Sequence, residues 1–352
     1  MHWNINMLSI IPPLDSVGTF IYSGLFEPSQ ADSTRNRKNM RILIVGAGAI
    51  GGYFGGRLLE AGRDVTFLVR PGRAEELDRS GLIVRSPLGN IVYPSPPHVM
   101  TPMLEQVFDL ILLSCKAYDL DAAMESFSAA VGPQTLILPL LNGMSHLDRL
   151  AERFEPENIL GGQCLISLDR DTSGAILHLN DTNQLSFGEL SGALTPRILK
   201  VAEALADAGF GANLSQQIVQ EMWEKWCFIA TAAGITGSMR ASIGDVIASG
   251  GEGMILKLLA ECAQVAEDAG YAIRGEVRQR FQTMLTTPAS KMTASMLRDI
   301  ERGAPIEVEH VIGDMIARRA STDKSAKGQL SVLEAVYVNL KSYEARRVRE
   351  AD

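Results

Sequence analysis

From residue 41 onward the chain alternates short apolar runs with longer amphipathic stretches. Ile42-Leu43-Ile44-Val45 is apolar at every position, the pattern of a strand buried on both faces. It runs straight into Gly46-Ala47-Gly48-Ala49-Ile50-Gly51, and a helix pattern follows over 53–60. Apolar runs at 65–69, 108–115 and 135–141 predict further strands, with a helix over 120–131. Residues 82–93 read as a hairpin turning at Pro87-Leu88-Gly89-Asn90. Residues 161–190 read as β-rich, and an amphipathic helix over 196–209 and a short segment at 212–214 follow. Then the period changes. Helical patterns succeed one another over 218–235, 253–269, 275–285, 290–302, 305–320 and 329–346, with almost no alternation between them. The expected fold is α/β: a Rossmann-type N-terminal domain over 40–214, followed by a mostly helical C-terminal domain over 215–352.

Residues 1–39 do not read as part of that fold. Pro12, Pro13, Asp15, Gly18 and Gly24 interrupt their one mildly apolar stretch, which also lacks the basic start and cleavage site of a secretory signal. They are expected to be a loose arm, or to precede a natural start at Met40. A length of 352 residues favours two domains. The net charge of -8 argues against a general nucleic-acid binder, and no stretch is apolar enough to span a bilayer. Both are compatible with a soluble cytoplasmic protein; a homodimer stays open. The four cysteines, Cys115, Cys164, Cys227 and Cys262, form no Cys-x-x-Cys pair and read as reduced core residues, with no metal site expected.

The candidate chemistry begins with the glycines. Strand, Gly46-x-Gly48-x-x-Gly51 and helix together are the context a dinucleotide fingerprint needs. Gly46 permits the sharp turn. Gly48 lets backbone approach a pyrophosphate, and Gly51 lets helix and strand pack closely. The strand over 65–69 ends in Arg70, with Arg73 close behind, where an NAD site usually carries an acidic residue. A guanidinium there suits a 2′-phosphate, so NADP(H) is expected; the bland alternative is a solvated loop arginine. Lys116 and Asn142 stand at the carboxyl ends of later strands, where open sheets bind ligands. Either is equally a loop residue, and Asn142-Gly143 is also a common turn pair.

In the helical half, Lys225 stands where the helix over 218–235 becomes apolar on nearly every side. It reads as a cationic binder or general acid, or as a surface lysine paired with Glu221. Glu307 is expected in the first turn of a helix begun by Pro305, where the helix dipole alone would explain it.

Taken in order, the Gly46–Gly51 loop, Lys116-Ala117, Asn142-Gly143-Met144, Trp223-Glu224-Lys225 and Ser295-Met296-Leu297-x-Asp299-Ile300 with Glu307 resemble the ketopantoate reductase (2-dehydropantoate 2-reductase) family, from about Met40 to Ala320. The resemblance implies NADPH-dependent reduction of a 2-oxo acid, ketopantoate to pantoate in pantothenate biosynthesis. It implies Lys225 as catalytic lysine and Glu307 as the carboxylate that orients it. Ser295 would hold the substrate carboxylate, and Asn142 would touch substrate and nicotinamide. Lys116 would be a second lysine near the cofactor, and Arg70 would meet the 2′-phosphate. One departure stands out. Ile229 and Ala233 occupy positions where family members often carry asparagines facing substrate hydroxyls. This puts the exact substrate in question and keeps open a reductase of another 2-oxo acid or an imine, or a non-catalytic NADP sensor.

Overall fold

A computed structural model describes residues 40–322 and 331–351. The arm expected over 1–39 lies outside the described residues. The first apolar run forms β1 (Arg41–Val45). Ile42 and Ile44 enter one core cluster, Leu43 and Val45 another on the opposite face, as the period of a strand requires. β1 passes through the glycine turn into α1 (Ala49–Glu60), which begins ahead of residue 53 because Gly51 and Gly52 are themselves helical.

The chain continues through β2 (Asp64–Leu68), α2 (Pro71–Ser80), β3 (Leu82–Arg85), β4 (Ile91–Tyr93), β5 (His98–Val99), β6 (Leu110–Leu113), α3 (Leu120–Phe127), β7 (Leu136–Pro139) and α4 (Ser145–Ala151). The sequence pattern gives no sign of α2, since only Ala74 and Leu77 of it are buried. Pro71 at its first position starts it. Five strands form one sheet in the order β5-β2-β1-β6-β7, and every pair is parallel. From β1 the chain goes first to one side and then returns to the other. The crevice therefore opens at the carboxyl ends of β1 and β6.

Next come β8 (Leu160–Leu165), β9 (Leu168–Arg170), β10 (Ile176–His178), β11 (Gln184–Glu189), α5 (Pro196–Leu205) and β12 (Gly211–Leu214). They build two small sheets, β4-β3-β10-β9 and β12-β11-β8. The hairpin read over 82–93 thus joins β10 and stands outside the parallel sheet.

The rest is helical: α6 (Ile218–Met239), α7 (Ile243–Ala248), α8 (Glu252–Asp268), α9 (Gly275–Leu285), α10 (Ser295–Glu301), a π-helical turn at Glu309–Gly313, α11 (Asp314–Thr322) and α12 (Val332–Ala351). α6 is the axis of this half. Trp226, Cys227 and Ala230 are at most 1% exposed. Thr231 and Thr236 are tolerated among them because each hydroxyl donates to its own helix, at Cys227 O and Ala232 O. A Cβ on Gly234 would stand 2.8 Å from Val336, so glycine lets α12 lie close. Two expectations change. The helix expected from residue 290 begins at Ser295, and the one expected from Pro305 begins at Val308. Contacts with α12 hold this stretch extended: Glu344 accepts from Ile306 N at 2.7 Å, and Tyr343 donates to Ala304 O at 2.8 Å. Glu307 therefore precedes the helix, and the first-turn dipole does not account for it.

Candidate active site

A continuous cleft of about 5610 Å³ runs between the crevice of the parallel sheet and the helical half. That is several times a typical small-molecule pocket, and it has room for a dinucleotide with a second ligand. Gly46 through Ile50, Arg70, Lys116, Asn142, Lys225, Ser295 and Glu307 all line it. Gly51 does not line it, for a reason its surroundings give.

The glycine loop is built from both sides. Gly46 has φ +93°, the left-handed region that favours glycine. A Cβ on Gly48 would meet no protein atom within 4 Å, so this glycine faces the cleft. A Cβ on Gly51 would stand 2.1 Å from Gly46 O and 2.3 Å from Ser114 Oγ, so this one lies beneath the loop. Ser114, just past β6, donates to Val45 O and Gly46 O and ties the two strand ends together. The first amides of α1 have no acceptor within the helix and stand at the floor of the cleft. Open space over Gly48 with unsatisfied amides behind it fits a pyrophosphate.

At the end of β2 the two arginines part. Arg70 points outward, its side chain 72% exposed, and pairs with Asp119 at 2.8 Å. That carboxylate raises its pKa. Arg73 turns inward and braces the loop, donating from Nε to Ala47 O at 3.0 Å and pairing with Glu76 at 2.7 Å. Its Nη2 is buried without a hydrogen-bond partner among the described residues. Of the two, Arg70 is the one presented to solvent beside the cradle. The bracing role of Arg73 carried no signal in the sequence, where it looked like a second phosphate ligand.

Lys116 and Glu307 meet across the cleft. Lys116 Nζ lies 2.9 Å from Asp299 Oδ2 and 3.2 Å from Glu307 Oε2, and Ala117 N donates to Glu307 Oε1 at 3.0 Å. Burial works against the charge on Lys116, but Glu307 and Asp299 outweigh it and raise the pKa. Glu307 thus has a different hydrogen-bond partner from the Lys225 expected. Because it sits in the extended stretch before Val308, it reaches back to the turn after β6. Asp299, which the reading of single residues gave no role, completes this bridge. One turn after Ser295, it falls on the same face of α10.

The turn carrying Asn142 is held from the helical side. Gly143 has φ +82°, and a Cβ there would stand 2.9 Å from His310 O. His310, on the π-helical turn, meets Ser145 Oγ at 2.6 Å and His146 at 3.3 Å. Burial lowers the pKa of both histidines, which favours the uncharged forms and suits a contact between two rings. Ser295 opens α10 and is exposed in the cleft.

Lys225 stands alone in this group. Glu221 is engaged with Ser215 and Gln163, and Glu224 with Arg274, so neither pairs with Lys225. Among the described residues its ammonium has no hydrogen bond or ion pair. Burial lowers its pKa, with Cys164 and Glu307 acting in the opposite direction. An amine that is partly buried, unpaired and open to a ligand cleft is equipped to give up a proton. All four cysteines are unpaired, three of them buried. No helix among the described residues is long and apolar enough to cross a membrane.

Residues 42–192 match the family described as ketopantoate reductase PanE/ApbA, and residues 217–344 match the ketopantoate reductase PanE/ApbA C-terminal family. An oxidoreductase of Bacillus subtilis named YkpB is 35% identical over 309 residues, covering 88% of this chain and all of the relative. A 2-dehydropantoate 2-reductase of Mesorhizobium japonicum is 26% identical over 297 residues, covering 78% of this chain and 89% of its own. The crystal structure of 2-dehydropantoate 2-reductase from Methylococcus capsulatus superposes with a TM-score of 0.76 at 26% identity, covering 88% of this chain and 98% of that one.

Proposed function

The chain belongs to the ketopantoate reductase family, and on that premise we propose that it reduces a 2-oxo acid to the 2-hydroxy acid with NADP(H). The observation that carries the reading is Lys225, partly buried and unpaired among the described residues, in the same cleft as the glycine cradle. NADPH would be held by the loop Gly46–Gly51 and the amides of α1, with Arg70 at its 2′-phosphate, and when bound it supplies the hydride. The chain's own residues do the rest. Lys225 gives its proton to the carbonyl oxygen as negative charge develops there, and its positive charge stabilises that oxygen until transfer. Ser295 and Asn142 fix the carboxylate and the carbonyl. Glu307, held by Lys116 and Ala117 N, is a fixed negative charge that favours the protonated form of Lys225.

Reduction of 2-dehydropantoate, the reaction in the names of two of these relatives, is the reference assay. Loss of NADPH absorbance with 2-dehydropantoate or another 2-oxo acid supports the proposal. Tight NADPH binding with no turnover on any 2-oxo acid or imine would replace it with the sensor reading.

The cofactor preference has its own test. Arg70→Ala removes an exposed guanidinium already shared with Asp119. A hydrogen bond to a charged group contributes about 1.5–3 kcal/mol. The ratio of kcat/KM for NADPH over NADH is therefore expected to fall roughly tenfold to a hundredfold. An unchanged ratio removes Arg70 from the 2′-phosphate.

A further inference from the structure

We propose, resting on the reductase reading, that the substrate of this cleft is a 2-oxo acid with an apolar side chain that carries no hydroxyl. The wall beside Lys225 makes the case. α6 presents six residues to the cleft: Glu221, Glu224, Lys225, Phe228, Ile229 and Ala232. The last three follow the lysine by three, four and seven positions, so they lie on its face of the helix. On α6 itself, chain extending from the reacting carbonyl past Lys225 meets hydrocarbon at Phe228, Ile229 and Ala232. Beyond them the polar lining resumes at Thr293 and Ser295, a segment tied to α6 where Ala294 N donates to Thr236 Oγ1 at 3.2 Å. The nearby helical hydroxyls are not available to it: Thr231 and Thr236 are fully buried and bonded to their own backbone.

The wall continues onto α9. Phe281 packs its ring 4.9 Å from that of Phe228, and Met284 lines the cleft one turn on. In the other direction α6 offers carboxylates, Glu221 and Glu224, whose oxygens are already engaged. A 2-oxo acid brings a carboxylate of its own, which those groups repel. Its carboxylate belongs toward Ser295, and its carbon chain toward Phe228 and Ile229.

The structure also sharpens the departure seen in the sequence. Ile229 faces the cleft, whereas Ala233 is 2% exposed and packs in the helical core. Ile229 is therefore the position on this wall that a substrate meets most fully, since Ala232, though it borders the cleft, is 5% exposed and belongs to the same core as Ala233. A hydroxyl pressed against this wall gives up water and finds no partner, a loss of roughly tenfold to a hundredfold in kcat/KM.

Two substrates isolate that hydroxyl. 3,3-Dimethyl-2-oxobutanoate and 2-dehydropantoate share carboxylate, ketone and branching, and the second adds one hydroxyl. With the full-length protein and saturating NADPH, 3,3-dimethyl-2-oxobutanoate is expected to have the higher kcat/KM by about tenfold or more. Ile229→Asn, which places an amide on the wall, is expected to bring the ratio to one or below. If the unmodified protein prefers 2-dehydropantoate, this inference falls while the reductase reading stands. If neither compound, nor any other 2-oxo acid, consumes NADPH or NADH, both fall. The ratio in the unmodified protein decides the matter even if Ile229→Asn does not fold.

Discussion

Lys225→Ala is expected to lower kcat for 2-oxo acid reduction by about 10²–10⁴, the usual contribution of a positioned general acid, with NADPH affinity unchanged. The loss should not come from unfolding. Lys225 is a partly buried ammonium with no ionic partner among the described residues, and burial weighs against its charged form. The sign follows from linkage. Its folded pKa lies below the ordinary 10.5, so between the two values the unfolded chain binds more protons, and stability rises with pH there. Below both values the folded protein carries the full penalty. Alanine removes the penalty, and the variant should melt at the same temperature or higher, the usual trade between a strained functional group and stability. A clear drop in Tm alongside the loss of turnover would make Lys225 a structural residue and undo the mechanism.

The same shift sets the pH profile. On the proposed mechanism reduction needs Lys225 protonated, so its rate is expected to fall as pH rises through the folded pKa, an alkaline limb below 10.5. Oxidation of the hydroxy acid would need the neutral amine and is expected to rise through the same value. In Lys225→Ala both limbs disappear. An alkaline limb that survives in this variant belongs to another group.

The residues that were legible in the sequence are those whose role is local. The doubly buried β1 showed in Ile42–Val45 and the turn in the spacing of Gly46, Gly48 and Gly51. The helical half showed in a change of period after Leu214. What did not show depends on contacts between segments far apart in the chain. Glu307 looked like a first-turn carboxylate, but Ile306 and Ala304 are tied to α12, and that tether keeps the helix from starting at Pro305. Its engagement with Lys116 bridges residues 191 apart. No periodicity encodes that distance. Arg73 and Arg70 read alike in sequence, yet one turns in to brace Ala47 and the other out to solvent, because only Arg73 lies on the face of α2 near the loop. Ile229 and Ala233 both read as departures; only the packing of α6 shows which of them a substrate meets.

The two inner glycines of the cradle permit a test that separates binding from folding. A Cβ at Gly48 enters open space, while one at Gly51 would stand 2.1 Å from the backbone oxygen of Gly46 and 2.9 Å from Ile44. Ser114 Oγ can rotate away; the Gly46 carbonyl cannot move without bending a turn that Gly46 N–H already fixes to Leu68 O at 2.9 Å. Gly51→Ala is therefore expected to destabilise the N-terminal half by about 1–3 kcal/mol, as overpacking does, and to weaken NADPH binding as the loop shifts. Gly48→Ala is expected to leave Tm unchanged. Its methyl would occupy the space into which backbone amides must reach a pyrophosphate, and it should weaken NADPH binding roughly tenfold to a hundredfold, the worth of one or two charge-assisted hydrogen bonds. Melting curves with and without NADPH read both quantities: the cofactor's stabilising shift should shrink in Gly48→Ala from an unchanged baseline, and in Gly51→Ala from a lowered one. A Gly48→Ala protein that binds NADPH as well as the parent would mean that the open space over this glycine is not where the phosphates lie, and the cradle would then have to be sought elsewhere along the carboxyl edge of the sheet.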